Sequence, residues 1–216
     1  MSEPKSPCNL VVLLSGNGSN LQAIMDSIEA GQLAAKIVGV ISDKVDAYGL
    51  QRASRHQIPT TTVVANPQES RQAYDRRLQA AIKPYQANWI IMAGFMRILS
   101  DALVETYLGK LINIHPSLLP KFKGLNTHQR VLDAGETSHG ASVHFVTPAL
   151  DDGPVIMQRQ IFVNPSETAD ELKQRVHQVE HLIYPDVVQL LCQQRVMYSD
   201  GSVLLDGQTI TSPLNP

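Results

Sequence analysis

Cysteine is nearly absent from this 216-residue chain, which holds two, Cys8 and Cys192, beside a single tryptophan. Two cysteines at opposite ends make no disulfide framework, so both are expected to stay reduced in a cytoplasmic setting. An excess of one charge is lacking too. The net charge is -2, and no window gathers the basic stripe of a nucleic-acid reader. No apolar run nears the roughly 20 residues that a membrane span needs. Residues 1–8 are short and polar and lack the apolar core of a signal peptide, so they are expected to form a flexible tail. No H-E-x-x-H and no Cys/His pairing occurs, and His128, His139 and His144 are scattered, so no metal is expected. No G-x-S-x-G elbow marks a serine hydrolase.

What is present is ordinary globular material, 43% hydrophobic and 18% charged. Asn9 to Leu14 is a continuous apolar run that ends in Ser15-Gly16-Asn17-Gly18. A helical stripe of Leu21, Ile24, Met25 and Ile28 follows. Further buried strands are expected over 36–41, 60–64, 89–93 and 111–114. Helices are expected over 47–57, 68–82 and 101–108. Strands alternating with helices, without polar alternation, predict an α/β fold: a mostly parallel twisted sheet with helices on both faces.

The second half reads as a loop over 117–124, a helix over 126–134, strands over 141–146 and 155–163, and a long helix. Thr168 and Glu171 form a capping-box pattern at the start of that helix. Pro185 is expected to kink or restart it. Asp200-Gly201 and Asp206-Gly207 are tight-turn signals. One domain is expected over 9–195, with a C-terminal extension over 196–216 that can form a hairpin.

Three segments carry chemistry. The glycine turn at 15–20 frees backbone N–H groups to face an anion such as a phosphate, though a plain strand–helix turn looks the same. It is neither the dinucleotide fingerprint, because Leu21 stands where a glycine should, nor a P-loop. In Asn113-Ile114-His115-Pro116, alternation puts Asn113 and His115 on one face. Together they could steady an oxyanion and move a proton, but for an isolated Asn-x-His a capped strand end with a hydrogen-bonded His is the favoured reading. In Asp151-Asp152-Gly153-Pro154, one carboxylate suits the turn and the other could face a cleft. A fourth segment, His177 to His181, reads on its own as a solvated helix face.

The ensemble of Leu14 to Gln22, Ala93 to Leu99, Asn113 to Pro120, His139 to Val146 and Asp151 to Ile156 closely resembles the folate-dependent glycinamide ribonucleotide transformylase family. The resemblance runs from about residue 9 to about residue 190. It implies a Rossmann-like formyltransferase fold and direct transfer of the formyl group of 10-formyltetrahydrofolate to the amine of glycinamide ribonucleotide. That transfer passes through a tetrahedral intermediate and belongs to de novo purine synthesis. The resemblance makes Asn113, His115 and Asp151 the catalytic trio. It assigns Gly18, Ser19, Asn20, Arg71, His177, Gln178, Val179 and Glu180 to the phosphorylated substrate. It assigns Met96, Arg97, Ile98, Leu99, Asn113, Thr147, Pro148, Ala149, Leu150 and Asp151 to the folate. The partners implied are these small molecules, with no nucleic acid and no membrane, and a monomer or homodimer. The chain departs from the family at His177, where a Gln is usual, and over residues 121–126.

Relatives that use the same folate share Asn113 to Pro120. A formyl-folate hydrolase is therefore the alternative, although the glycine turn with Arg71 favours a phosphorylated acceptor over water. A methionyl-tRNA formyltransferase would need a further nucleic-acid-binding domain. A non-catalytic nucleotide-binding module would account for the glycine turn but not for the trio.

Overall fold

The computed structural model describes residues 7–216. The tail expected over 1–8 lies outside the described residues except for its last two positions. Cys8 already belongs to the first strand. The chain divides into two compact units, one through Arg97 and one from Ile98.

The first unit alternates strand and helix, as the apolar runs demand. It holds β1 (Cys8–Leu14), α1 (Ser19–Glu29), β2 (Ala35–Ser42), α2 (Tyr48–Arg55), β3 (Thr60–Thr62), α3 (Arg71–Ile82) and β4 (Trp89–Met92). The strands lie in the order β3-β2-β1-β4, and every neighbour pair is parallel. The chain steps outward through β1, β2 and β3, then crosses back to β4. Right-handed crossovers therefore set α1 and α2 on one face and α3 on the other. Leu10 to Leu14 are buried, as a strand covered on both faces requires. Leu21, Ile24 and Met25 of α1 close over one face.

The second unit holds α4 (Asp101–Thr106), β5 (Leu111–His115), α5 (Thr127–Asp133), β6 (Ser138–Phe145), β7 (Val155–Phe162) and α6 (Ala169–Cys192). Its three strands pair antiparallel, β5 with β6 and β6 with β7. The polar residues inside them, such as His139, Ser142 and His144, are buried. A meander of β8 (Val196–Ser199), β9 (Ser202–Leu205) and β10 (Gln208–Thr209) follows. Its turns put Asp200-Gly201 and Asp206-Gly207 at positive φ, the paired left-handed geometry that Asp-Gly tolerates.

Two expectations need correction. α6 runs unbroken through Pro185 instead of restarting there. The ring removes one backbone bond, but Ile183, Tyr184, Val187, Val188 and Leu191 around it are all buried, and that packing holds the helix together. Cys8 and Cys192, expected to stay reduced, are both disulfide-bonded. At the start of α6 the capping box is complete, with the Thr168 side chain accepting from the Glu171 N–H and Glu171 accepting from the Thr168 N–H.

Candidate active site

In the second unit, β5 and β6 assemble a polar cluster. Asn113 pairs with His144 across the ladder and His115 with Ser142. Directly opposed residues share a sheet face, so Asn113, His115 and His144 stand side by side. His144 is almost wholly buried. Its Nδ1 lies 2.8 Å from the Phe145 carbonyl, which can only accept, so Nδ1 carries the proton. That leaves Nε2 as an acceptor, 3.2 Å from Asn113 Nδ2. Burial, the largest influence, pushes the His144 pKa down and keeps the ring neutral.

Asp151 reaches the cluster from the turn after β6. The turn is closed by the Asp152 N–H on the Ala149 carbonyl, 3.3 Å away, and Asp151 itself takes a left-handed φ of 47°. Gly153 makes this possible. A Cβ there would stand 1.8 Å from the Phe145 carbonyl oxygen, so only glycine lets the turn lie against β6. Asp151 Oδ2 lies 3.4 Å from His115 Nδ1, and Oδ1 lies 3.8 Å from His144 Nε2.

His115 also places Nε2 2.9 Å from the Phe122 carbonyl. Each ring nitrogen thus faces an acceptor, an arrangement that a protonated ring satisfies at both ends. The loop after β5 is pinned from below. Ser142 Oγ donates to the Ser117 carbonyl at 2.6 Å and accepts from the Leu119 N–H at 3.0 Å. The loop then touches the cluster again, where the Gly124 N–H donates to Asp151 Oδ2 at 2.9 Å and Lys123 pairs with Asp152. An amide, an imidazole and a carboxylate so held can hydrogen-bond a developing oxyanion and relay a proton.

The expected residues of α6 separate by helix geometry. His177 is half-buried with its ring 6.3 Å from that of His181, and Glu180 is buried on the same side of the helix. Gln178 is exposed, and Val179 is in the core. Val179 is therefore a packing residue, and a continuous stretch 177–180 does not form one surface. Burial, helped by Lys173 and His181, lowers the His177 pKa. Nearby, His128 Nδ1 and His139 Nε2 are 3.1 Å apart, and burial above all takes both pKa values down to about 4. Of the residues of this unit expected to meet the folate, Ile98 and Leu150 are large apolar side chains more than half exposed. Leu99 is buried, while Pro148 and Ala149 are exposed and Thr147 is partly so.

In the first unit, Gly18 is the N-cap of α1 at φ 73° and supplies no side chain to cap the first turn. Ser19 and Asn20 open the helix, and the first N–H groups of a helix point out of its N-terminal end. Arg71 opens α3 and is exposed. A cation that sequence reading passed over as part of an ordinary helix, Arg52, also lies at the glycine turn, where it donates to Asn17. Met96 is 63% exposed and its N–H donates to Ser15 Oγ at 2.8 Å. The Arg97 guanidinium lies 4.1 Å from the centre of the Tyr74 ring, whose phenol burial pushes up to about 12. Among the described residues, no group of three or more His, Cys, Asp or Glu is placed to hold a metal, and no helix is long and apolar enough to cross a membrane.

Residues 8–188 match the family model described as formyl transferase. The chain is 47% identical over 202 residues to phosphoribosylglycinamide formyltransferase of Escherichia coli K12, covering 94% of this chain and 95% of that protein. Phosphoribosylglycinamide formyltransferase from Coxiella burnetii superposes with a TM-score of 0.93 at 48% identity, covering 97% of this chain and 99% of that one. The mostly parallel α/β fold expected from the sequence is the fold of these structures. A formyltetrahydrofolate deformylase from Pseudomonas syringae superposes at 0.86 but with 24% identity, a likeness of fold alone, and this chain covers 66% of it.

Proposed function

The chain belongs to the formyl transferase family, and from that premise we propose that it moves a formyl group from 10-formyltetrahydrofolate to the amine of glycinamide ribonucleotide in purine biosynthesis. The observation that carries the reading is the cluster of Asn113, His115 and Asp151, with His115 Nδ1 3.4 Å from the carboxylate. It supplies the donors that acyl transfer to a neutral amine requires. Near-full coverage of transferase relatives at 47% and 48% identity favours transfer over hydrolysis. The family match over 8–188 supports treating 9–195 as one formyltransferase domain.

As the amine attacks the formyl carbon, negative charge builds on the formyl oxygen. The second N–H of Asn113 Nδ2 donates to that oxygen, and His115 Nε2–H joins it by exchanging the Phe122 carbonyl for the formyl oxygen; fixed donors of this kind contribute roughly a few kcal/mol each. The attacking nitrogen loses a proton and the departing folate nitrogen gains one. Asp151, 3.4 Å from His115 Nδ1, is placed to accept or return a proton through that ring or through water. No covalent bond to the protein forms. The substrate phosphate is assigned to the turn Gly18-Ser19-Asn20 with Arg71 and His177, its glycinamide end to Glu180, and the folate to 96–99 and 147–151. Exposed Met96, Ile98 and Leu150 suit a flat ring system. A cytoplasmic location follows from these substrates and not from the cysteines.

The test is steady-state formyl transfer by purified protein, with glycinamide ribonucleotide and with water as acceptors. Formylated ribonucleotide should form in proportion to folate consumed. Folate consumption at the same rate without ribonucleotide would make the protein a hydrolase.

A further inference from the structure

Gly49 and Arg52 lie three apart on α2 and so share a face. Gly49 meets the glycine turn backbone to backbone, its N–H donating to the Gly16 carbonyl at 3.0 Å. A Cβ on Gly18 would stand 2.6 Å from Gly49 Cα, so glycine at both positions permits the approach. That approach delivers the Arg52 guanidinium to the residue just before the α1 N-cap. Nε donates to the Asn17 carbonyl at 2.9 Å and Nη2 to Asn17 Oδ1 at 3.1 Å, a two-pronged grip on one residue. Nη1 donates to Gln22 Oε1 at 3.1 Å, one turn into α1. The Tyr48 ring, 4.8 Å from the guanidinium carbon, backs it.

Every one of those acceptors is neutral, and among the described residues Arg52 forms no ion pair. Other arginines of this unit are spent differently, Arg77 on Glu69 and Arg97 on the Tyr74 face. Arg52 therefore leaves a full positive charge beside the first turn of α1, where the helix dipole adds to it. The same fork orients the Asn17–Gly18 segment, so the N–H groups beyond it are aimed before any ligand arrives.

We propose that Arg52 is a positioning residue for the phosphorylated substrate, holding the glycine turn in its phosphate-accepting shape and supplying uncompensated positive charge there. This rests on the reading of Gly18 to Asn20 as the phosphate site. It makes a specific demand on chemistry. Lysine keeps the charge but cannot grip Asn17 at two atoms, whereas glutamine keeps part of the grip and loses the charge.

Wild type, Arg52→Lys, Arg52→Gln and Arg52→Ala would be compared by steady-state kinetics, with inorganic phosphate as an inhibitor. Thermal midpoints would show which variants are folded. In the wild type, phosphate should compete with glycinamide ribonucleotide and not with the folate. Arg52→Ala should raise the ribonucleotide KM and the phosphate inhibition constant together, on the order of tenfold. The folate KM and kcat should change less than about twofold. Arg52→Lys should fall between Arg52→Ala and the wild type. If Arg52→Ala fails to fold, Arg52→Lys and Arg52→Gln carry the comparison. Unchanged phosphate inhibition in the variants, or both KM values rising together, would overturn the role of Arg52 and leave the phosphate site standing. No competition by phosphate in the wild type would overturn the phosphate reading of the turn, and this role with it.

Discussion

Asn113 Nδ2 donates to His144 Nε2 across 3.2 Å, and it can do so only because His144 has committed its other nitrogen to the Phe145 carbonyl. The neutral ring fixes which end of the Asn113 amide is which. One N–H is held by His144, which leaves the second to donate to a formyl oxygen. His144→Ala should therefore lower kcat on the order of tenfold while both KM values move only a few-fold. Because burial lowers the His144 pKa, the ring is neutral above the ordinary histidine range. The defect should then be the same at pH 7 and pH 8.5. A defect that grows or vanishes between those pH values in steady-state assays would show that His144 acts by its charge.

The trio itself should behave as oxyanion donors and a proton relay do. Asn113→Ala, His115→Ala and Asp151→Ala should each reduce kcat by on the order of a hundredfold or more. Far-ultraviolet circular dichroism should remain native. If His115→Ala retained near wild-type kcat, the catalytic assignment would be wrong.

The shared face of Asn113 and His115 was legible in the sequence because a strand's period of two is local. Asp151 was singled out by the family resemblance, since its turn alone shows neither carboxylate's role. His144 was not legible at all. It stands opposite Asn113 only through the register of β5 on β6, a pairing across 31 positions that no window of sequence contains. Arg52 was missed for the same reason, since its role exists only where Gly49 lets α2 touch the glycine turn. The apolar runs located the strands within a residue or two. One exception was β6, which begins at Ser138 because polar His139 hid its start. Polar residues buried against one another break the pattern that marks a core strand.

The pair His128 and His139 should make the fold sensitive to acid. Both pKa values lie at about 4 in the native protein, through burial first and then through neighbouring positive charge, chiefly from His139 for His128 and from His115 for His139. In the unfolded chain both return to about 6.5. Between these values the unfolded chain binds protons that the native state refuses, so stability is present above pH 6.5 and declines as pH falls toward 4. The geometry agrees, because the 3.1 Å contact needs one unprotonated nitrogen. Urea midpoints at pH 7, 5.5 and 4.5 should fall more steeply for the wild type than for His128→Gln/His139→Gln. Parallel slopes would mean that neither ring resists protonation.

His177 offers a test of a departure from the family. The free ring is held below the ordinary histidine pKa by burial, Lys173 and His181. A phosphate beside it would favour the imidazolium and raise that pKa in the complex. By linkage, the extra affinity is complete below the free pKa and is lost as pH rises through the pKa of the complex. The substrate phosphate also titrates near pH 6. Comparison with His177→Gln cancels that contribution, because both proteins meet the same ligand. Calorimetric titration with glycinamide ribonucleotide should show wild type binding several-fold more tightly than His177→Gln at pH 5.5. At pH 8.5 the two should bind alike. A constant ratio at both pH values, or no difference at either, would place His177 away from the phosphate and leave it as a half-buried member of the α6 face.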